Sequence, residues 1–484
     1  MAINSPHIPV PIHFLDDDSL LNIFYLYRPF FIGEDGDDDE RIHGGKRLWV
    51  QGRWWYRLAH VCRRWRDLTL RSASYLRLSL VCTNGIPVAN MLSHSPPLPL
   101  TVDYRSEDGI TAEDEERLLL ALEQRHRVRH LRLVFPAQNL RELVMVIDEE
   151  FPILEYLIIW SPVKGDKALM LPETLQTPNL RHLALEGFAC PMRSRLHPIS
   201  ASLVTLFLVI NHQSAYFQPN VLHQSISFLP QLETLAILFS FPDPNRDVER
   251  QLTHTPITTH ITLPNLRLFC FRGVSAYLEA LVCRITTPRA KRLQIQLSQQ
   301  VTYSVPHLGQ FMNTIENLRF DDALIVFRDK EIVVETSLRE ADSYAFVIRV
   351  DCWHLDWQIS IVAQICNGLS QVISTVELLN LRREVHSQSS EDHNDVGRIE
   401  WRTLLRSFSN VKTLGVGDGL VEKLSRCLRL EDGELPLDLL PELQELGYSE
   451  SRDTGDAFTS FIDARQNTSH PVTLVCLGPG PGSS

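Results

Sequence analysis

One six-residue phrase, Leu-x-x-Leu-x-Leu, keeps returning along this chain, and it limits the possible folds more than any other feature. It stands at Leu154-Leu157-Ile159, Leu180-Leu183-Leu185, Leu203-Leu206-Leu208 and Leu232-Leu235-Ile237. Looser copies stand at Val128-Leu131-Leu133, Leu266-Phe269-Phe271, Ala290-Leu293-Ile295 and Ile315-Leu318-Phe320. The central positions 131, 157, 183, 206, 235, 269, 293 and 318 recur at intervals of 23 to 34 residues. Internal similarity at such a period is the mark of a repeat architecture. Side chains alternate faces along a strand, so the fourth and sixth positions of the phrase point the same way. One strand cannot bury that face alone; stacking the next repeat beside it buries a continuous apolar ridge.

The segments between phrases are long enough to return the chain for a parallel neighbour. Several read as amphipathic helix, as at Glu113–Gln124 with Leu118, Leu119 and Leu122, and more weakly from Leu281 to Ile285. Further phrases stand at Val376-Leu379-Leu381, Val411-Leu414-Val416 and Leu443-Leu446. The phrase resembles that of the leucine-rich-repeat family, whose strands line the inner side of a curved solenoid. The Asn or Cys which that family places after the last Leu is mostly absent, and the spacing drifts, so an irregular solenoid is expected. The other reading is an ordinary α/β domain with Leu-rich strands. The expected fold is therefore α/β: a small helical module at residues 11–74, a curved, irregular leucine-rich-repeat-like solenoid with a parallel sheet at 75–476, and a disordered tail at 477–484.

The front module lacks the phrase. Leu20, Ile23, Phe24 and Tyr27 fall on one face of a helix running from Asp16 to about Tyr27, opened by Asp16, Asp17, Asp18 and Ser19. A second helix is expected from Trp54 to Leu70, with Leu58, Val61, Cys62, Trp65 and Leu68 at helical spacing. Pro11-Ile12, Leu15 and Leu20 to Phe24, followed by the run Val61-Cys62-Arg63-Arg64-Trp65-Arg66, resemble an F-box. Joined to a degenerate leucine-rich solenoid, the arrangement resembles the F-box-like proteins of fungi.

That resemblance implies binding to a Skp-family adaptor and, through it, to the cullin of a cullin–RING (SCF-type) ubiquitin ligase, the solenoid holding a protein substrate. The adaptor-facing set it implies is Pro11, Ile12, Leu15, Leu20, Leu21, Ile23, Phe24, Val61, Cys62 and Trp65. An acidic insertion at 28–53, with Glu34 to Glu40 at its centre, separates the two halves; it is either an exposed loop or a disturbance of the adaptor contact. The plainer reading of the helices is a cap on the solenoid, within a non-ligase protein-binding scaffold.

By strand alternation, residues flanking the buried leucines face outward and form the expected substrate surface. They include His130, Arg132, Tyr156, His182, Phe207, Arg292 and Arg319. The net charge of −12 argues against a general nucleic-acid or anionic-membrane binder, and no apolar run is long enough for a transmembrane helix. Nine scattered cysteines, without a Cys-x-x-Cys and without a signal peptide at the start, read as reduced thiols in the cytoplasm or nucleus. The acidic run lacks the Gly and Glu of a calcium loop, having Glu40 and Lys46 there. Gly415 to Gly419 lacks the Lys of a phosphate loop, and Cys352-Trp353-His354 has no third group to orient it. No catalytic constellation, metal site or cofactor is expected.

Overall fold

The computed structural model of the protein describes residues 12–27, 54–161, 167–172, 174–189, 202–240, 259–298, 303–316, 318–337, 345–384, 397–417, 419–430, 434–449, 457–466 and 471–477, with positions 300 and 468. Pro11, the insertion at 28–53, the polar stretch at 387–394 and the tail from 478 lie outside the described residues. The chain divides into two compact units, Met1–Gly165 with Leu171–Leu185, and Asp166–Met170 with Glu186–Ser484.

Among the described residues the first unit opens with three helices, α1 (Asp17–Tyr27), α2 (Trp54–Ala59) and α3 (Arg63–Arg71). The Asp16 carboxylate caps α1 by accepting from the N–H of Ser19 at 2.7 Å, which holds its pKa below the usual range. The single helix expected over 54–70 is broken at His60–Cys62. Cys62 is fully extended there, and the orphaned carbonyl of Ala59 is taken up by Arg66 Nε at 3.0 Å. The break lets α3 turn back across α1.

Five strands follow: β1 (Leu80–Thr83), β2 (Leu100–Arg105), β3 (Val128–Val134), β4 (Tyr156–Trp160) and β5 (His182–Glu186). They pair in chain order and all in parallel. The phrase sets the register: Leu131 pairs with Leu157 and Leu157 with Leu183, while Leu133 pairs with Ile159 and Ile159 with Leu185. Val128, Leu154 and Leu180, which open the three phrases, are fully buried. Cys82 and Val102 extend the same row into β1 and β2. The helix expected at 113–124 is found at Ala112–Glu123, capped by Thr111, with Leu118, Ala121 and Leu122 turned inward. Between β2 and β3 the pairing slips, and Arg129 is the extra residue that turns His130 to the open face.

The second unit carries β6 (Thr205–Ile210), β7 (Thr234–Phe239), β8 (Ile261–Thr262), β9 (Leu268–Gly273), β10 (Ile285–Thr286), β11 (Arg292–Leu297), β12 (Asp322–Arg328), β13 (Glu331–Ser337), β14 (Phe346–Asp351), β15 (Leu378–Glu384), β16 (Thr413–Val416), β17 (Glu445–Ser449) and β18 (Thr473–Leu477). Their spatial order is β6-β7-β9-β11-β14-β13-β12-β15-β16-β17-β18, with β8 and β10 forming a small parallel pair of their own. The anchors again stack in register, from Leu206 through Leu235 and Phe269 to Leu293, and from Leu379 through Leu414 to Leu446. Helices cover that face. Tyr277 of the helix Ser275–Val282 lies on Phe239 and Phe271, Phe311 of Pro306–Asn313 on Phe269, and Trp401 of Arg398–Arg406 on Phe327. The helix expected from 281 to 285 lies earlier, at 275–282, and Ile285 starts the short β10 instead.

Among the described residues of the second unit, the parallel run of strands is interrupted between β11 and β15. After β11 the chain skips two strand positions to lay down β12, then walks back through antiparallel β13 and β14 until β14 pairs with β11. Here the phrase stands in a different frame from the one the leucine spacing predicts. Ile315-Leu318-Phe320 supplies no strand; the working phrase is Phe320-Ala323-Ile325, whose last two residues pair with Leu379 and Leu381. Both frames end or begin on Phe320, which is fully buried, so the Leu pattern alone could not separate them.

The two frames differ in energy. Ile325 is fully buried and Leu318 is half-buried. Ile325→Ala is expected to cost about 2–5 kcal/mol and Leu318→Ala under about 1 kcal/mol, read as denaturant midpoints at equal slope. Thr336 stands in the anchor row between Phe346 and Ala323, fully buried, with no partner for its hydroxyl among the described residues. Thr336→Val is expected to raise stability by about 1 kcal/mol in the same measurement, because it removes a buried hydroxyl that has given up water for nothing.

Candidate functional site

Two surfaces of the first unit bring together the residues marked by the sequence. On the helical head, α1 and α3 cross where Phe24 meets Trp65 edge to face, ring centroids 4.8 Å apart. Arg64 locks the crossing: its Nη2 donates to the Leu15 carbonyl at 2.7 Å and to Asp17 Oδ1 at 2.7 Å, and its Nε to the same carboxylate oxygen at 3.0 Å. The adaptor-facing set thereby divides. Leu20 and Phe24 are fully buried and hold the head together. Leu15, Leu21 and Trp65 are half-buried, and Ile12, Ile23, Val61 and Cys62 are exposed. Pro11 lies outside the described residues.

Two large apolar side chains escaped the sequence reading: Phe14 is 70% exposed and Leu26 is 67% exposed. Phe14 belongs to a short 3-10 turn, Ile12–Phe14, and Leu26 lies off the apolar face of α1. An apolar residue on the polar side of an amphipathic helix is the signal that finds such a position. The opposite side of the head is tied to the sheet. Trp55 is buried, and its indole N–H donates to the Ser79 carbonyl, one residue before β1, at 3.1 Å.

The second surface is the sheet face turned away from the anchors. Thr101, His130, Tyr156 and His182 stand side by side in register across β2 to β5. His130 meets Tyr156 edge to face at 4.7 Å, and Tyr156 stacks on His182 at 4.0 Å with the rings only 8° from parallel. Thr101 Oγ1 lies 3.1 Å from His130 Nδ1 and donates to Ser79 Oγ at 3.1 Å, so the hydroxyl is an acceptor for an Nδ1–H of the imidazole. In the next row Asp103 pairs with Arg132 in register but is gripped by Arg105, at 2.8 and 2.5 Å. The Arg132 guanidinium lies 5.2 Å from the centroid of the Trp160 ring. Burial, with Arg105 nearby, lowers the Arg132 pKa to about 10.

Burial is also what sets the two imidazoles. His130 is held down to about 3 and His182 to about 4, with Arg129 and Arg181 pushing the same way. Both rings are therefore neutral at physiological pH. The row is a set of planar rings with uncharged donors and acceptors, beside a carboxylate already neutralised by an arginine. The Arg132 guanidinium, charged at neutral pH, lies in the next row of the same face.

In the second unit, Phe207 and Arg292 are half-buried on the corresponding face, Phe207 in register with Ala236 and Arg292 with Leu268. Arg319 does not join them; it is exposed in the turn before β12. Cys352 is buried, its Sγ directed at the His354 carbonyl at 3.8 Å and its thiol pushed up by that burial, while the His354 ring lies against Trp357. The two side chains that stood close in sequence thus face different neighbours. Among the described residues no group of three or more His, Cys, Asp or Glu could hold a metal ion, and no helix is long and apolar enough to cross a membrane.

No family model matches the chain, and no curated protein matches it. Among solved structures, the leucine-rich-repeat-containing protein LegL7 from Legionella pneumophila is similar over 58% of this chain and 85% of that chain, at 11% identity and a TM-score of 0.21. A score so low carries no inference. The repeat architecture rests instead on the register of the anchors, which places a large, mostly parallel sheet behind the repeated phrase.

The neutral imidazoles have a consequence for stability. Free imidazole titrates near 6.5. Below that pH the unfolded chain takes up protons that His130 and His182 refuse until about 3 and about 4. Stability therefore falls as pH drops from about 6.5 toward about 4, and this contribution levels off below the folded-state values. His182→Gln is expected to make that slope shallower by roughly 1 kcal/mol per pH unit, read from urea unfolding between about pH 7 and about pH 4.5.

Proposed function

We propose that this chain is the substrate-receptor subunit of an SCF-type cullin–RING ubiquitin ligase and performs no chemistry itself. On this reading the head is an F-box that docks on a Skp-family adaptor, and the open face of the repeat sheet holds the protein substrate. The observation that carries the proposal is the crossing of α1 and α3. Phe24 and Trp65 close the head from inside, while Ile12, Ile23, Leu26 and Val61 are exposed on it. Several exposed large apolar side chains on one small module are the kind of surface that a protein partner covers. Its location in the cell would follow that of the adaptor, cytoplasm or nucleus.

A second reading is favoured by one specific contact. Trp55 donates to the Ser79 carbonyl at the start of β1, and Leu76 and Leu78 are buried beside it. Those are the contacts of a cap that seals the first strand, and they support a non-ligase scaffold that binds proteins through its repeats alone.

Co-purification with a Skp-family adaptor separates the two. The full chain is expected to bind, and Ile23→Asp or Val61→Asp to weaken binding by roughly 30-fold or more without loss of helical signal, since both side chains are exposed. A wild-type chain that folds and fails to bind the adaptor refutes the ligase and leaves the scaffold.

A further inference from the structure

Three arginines open α3, and each is placed differently. Arg63 points to water, its side chain 93% exposed, with Asp67 3.9 Å away. Arg66 turns back to the Ala59 carbonyl. Arg64 crosses to the segment that leads into α1, where Nη2 donates to the Leu15 carbonyl at 2.7 Å and both Nη2 and Nε donate to Asp17 Oδ1. Those acceptors stand 49 and 47 residues back along the chain.

The bonds that shape this segment are otherwise local. The Leu15 N–H donates to the Ile12 carbonyl at 3.3 Å and closes the turn, and Asp16 caps α1 through the Ser19 N–H. Local bonds set the form of a turn and leave open where it sits against the rest of the module. The packing that seats α1 on α3 comes later, at fully buried Leu20 and at Phe24 on Trp65. Leu15 lies five residues ahead of Leu20, roughly 7.5 Å at the helical rise.

On the reading of the head as an adaptor-docking module, we propose that Arg64 is a positioning residue for its partner surface. By gripping the Leu15 carbonyl and Asp17 together it fixes the Ile12–Leu15 segment against α3, so that exposed Ile12 meets the partner already in place. The guanidinium suits this task because it is a planar fork whose donors reach two acceptors at fixed angles, where the ammonium of a lysine is a point charge. An ion pair this exposed, 41% at Arg64 and 62% at Asp17, adds little to stability. Its effect falls on binding, since a segment ordered in advance loses less conformational freedom when the partner arrives.

Two double-mutant cycles on the full chain, read as affinity for the Skp-family adaptor, test this role. Arg64→Ala is expected to weaken binding about tenfold with the urea midpoint nearly unchanged, and Arg64→Lys to recover only part of the loss. In the Arg64→Ala background Ile12→Ala is expected to cost nothing further, because Ile12 is no longer held. Ile23→Ala is expected to keep its full effect there, because Leu20 and Phe24 still seat α1. Arg63→Ala is expected to bind as the wild type does. Amide exchange at Leu15 needs no partner and is expected to be about tenfold faster in Arg64→Ala and unchanged in Arg63→Ala. Additive losses for Arg64 and Ile12 in a chain that binds the adaptor overturn this role alone, as does equal Leu15 exchange in wild type and Arg64→Ala. A wild-type chain that folds and does not bind overturns the docking reading and the role of Arg64 with it.

Discussion

The structure depends on one constraint: each strand has two anchor side chains on one face, and it can bury them only against a neighbour that presents two of its own at the same height. Leu157 and Ile159 do this for Leu131 and Leu133, and Leu183 and Leu185 do it in turn for them. Because side chains alternate along a strand, a slip of one residue would turn every anchor to the open face. Register is thus held at each step by roughly the burial of two large side chains, on the order of 3–6 kcal/mol per strand before entropy is subtracted. This accounts for the drift in repeat length. The constraint acts on the strand and on the covering helix, as where Phe311 meets Phe269, and leaves the connection between them free.

The same constraint frees the opposite face, where chemistry can vary without cost to the ladder. On the first unit that face collects groups that would be expensive in a core. Thr101, Asp103 and Arg132 are all buried there, yet each lies beside a polar or aromatic partner: Ser79 and His130, Arg105, and Trp160. The crowding that strips water from this row also strips the charge from its histidines. The stacked neutral rings lie next to one remaining cation, Arg132, whose charge rests on the Trp160 ring.

Much of the fold was legible because the anchors are mostly leucine. The heights of β3 to β7, β9, β11 and β15 to β17 could be read directly from the spacing. β1 and β2 could not, since their anchors are Cys82 and Val102, with Tyr104 behind them, and no Leu-x-x-Leu-x-Leu marks them. The reversed trio β12 to β14 was illegible for another reason. Ile332 and Val334 face the core while Val333 is buried from the other side, so the alternation that identifies a one-sided strand is lost. Arg319 was placed on the sheet face by the same misreading. On the open sheet face the positions His130, Tyr156 and His182 follow from alternation. Their stacking did not, because it depends on three strands lying in register and on the extra residue at Arg129. In the head, helical spacing runs uninterrupted across the break, and the contact that accommodates the break, Arg66 on the Ala59 carbonyl, has no sequence signature.

A cap and a docking knob are usually set against each other as explanations of a terminal helical module, but here they draw on different residues. Sealing the first strand falls to Trp55, Leu76 and Leu78, which are buried. The exposed group of Ile12, Phe14, Ile23 and Leu26 lies on α1 and the turn before it, and α1 is held to α3 by Phe24, Trp65 and Arg64. Burying the cap does not consume the knob, and losing a partner at the knob would not unseat the cap. Exposed apolar side chains such as Ile12, Ile23 and Leu26 add nothing to the burial that holds the head together. At roughly 25 cal/mol per Å² of apolar surface, covering them would be favourable, which makes them, rather than the cap, the place where the proposed adaptor would dock.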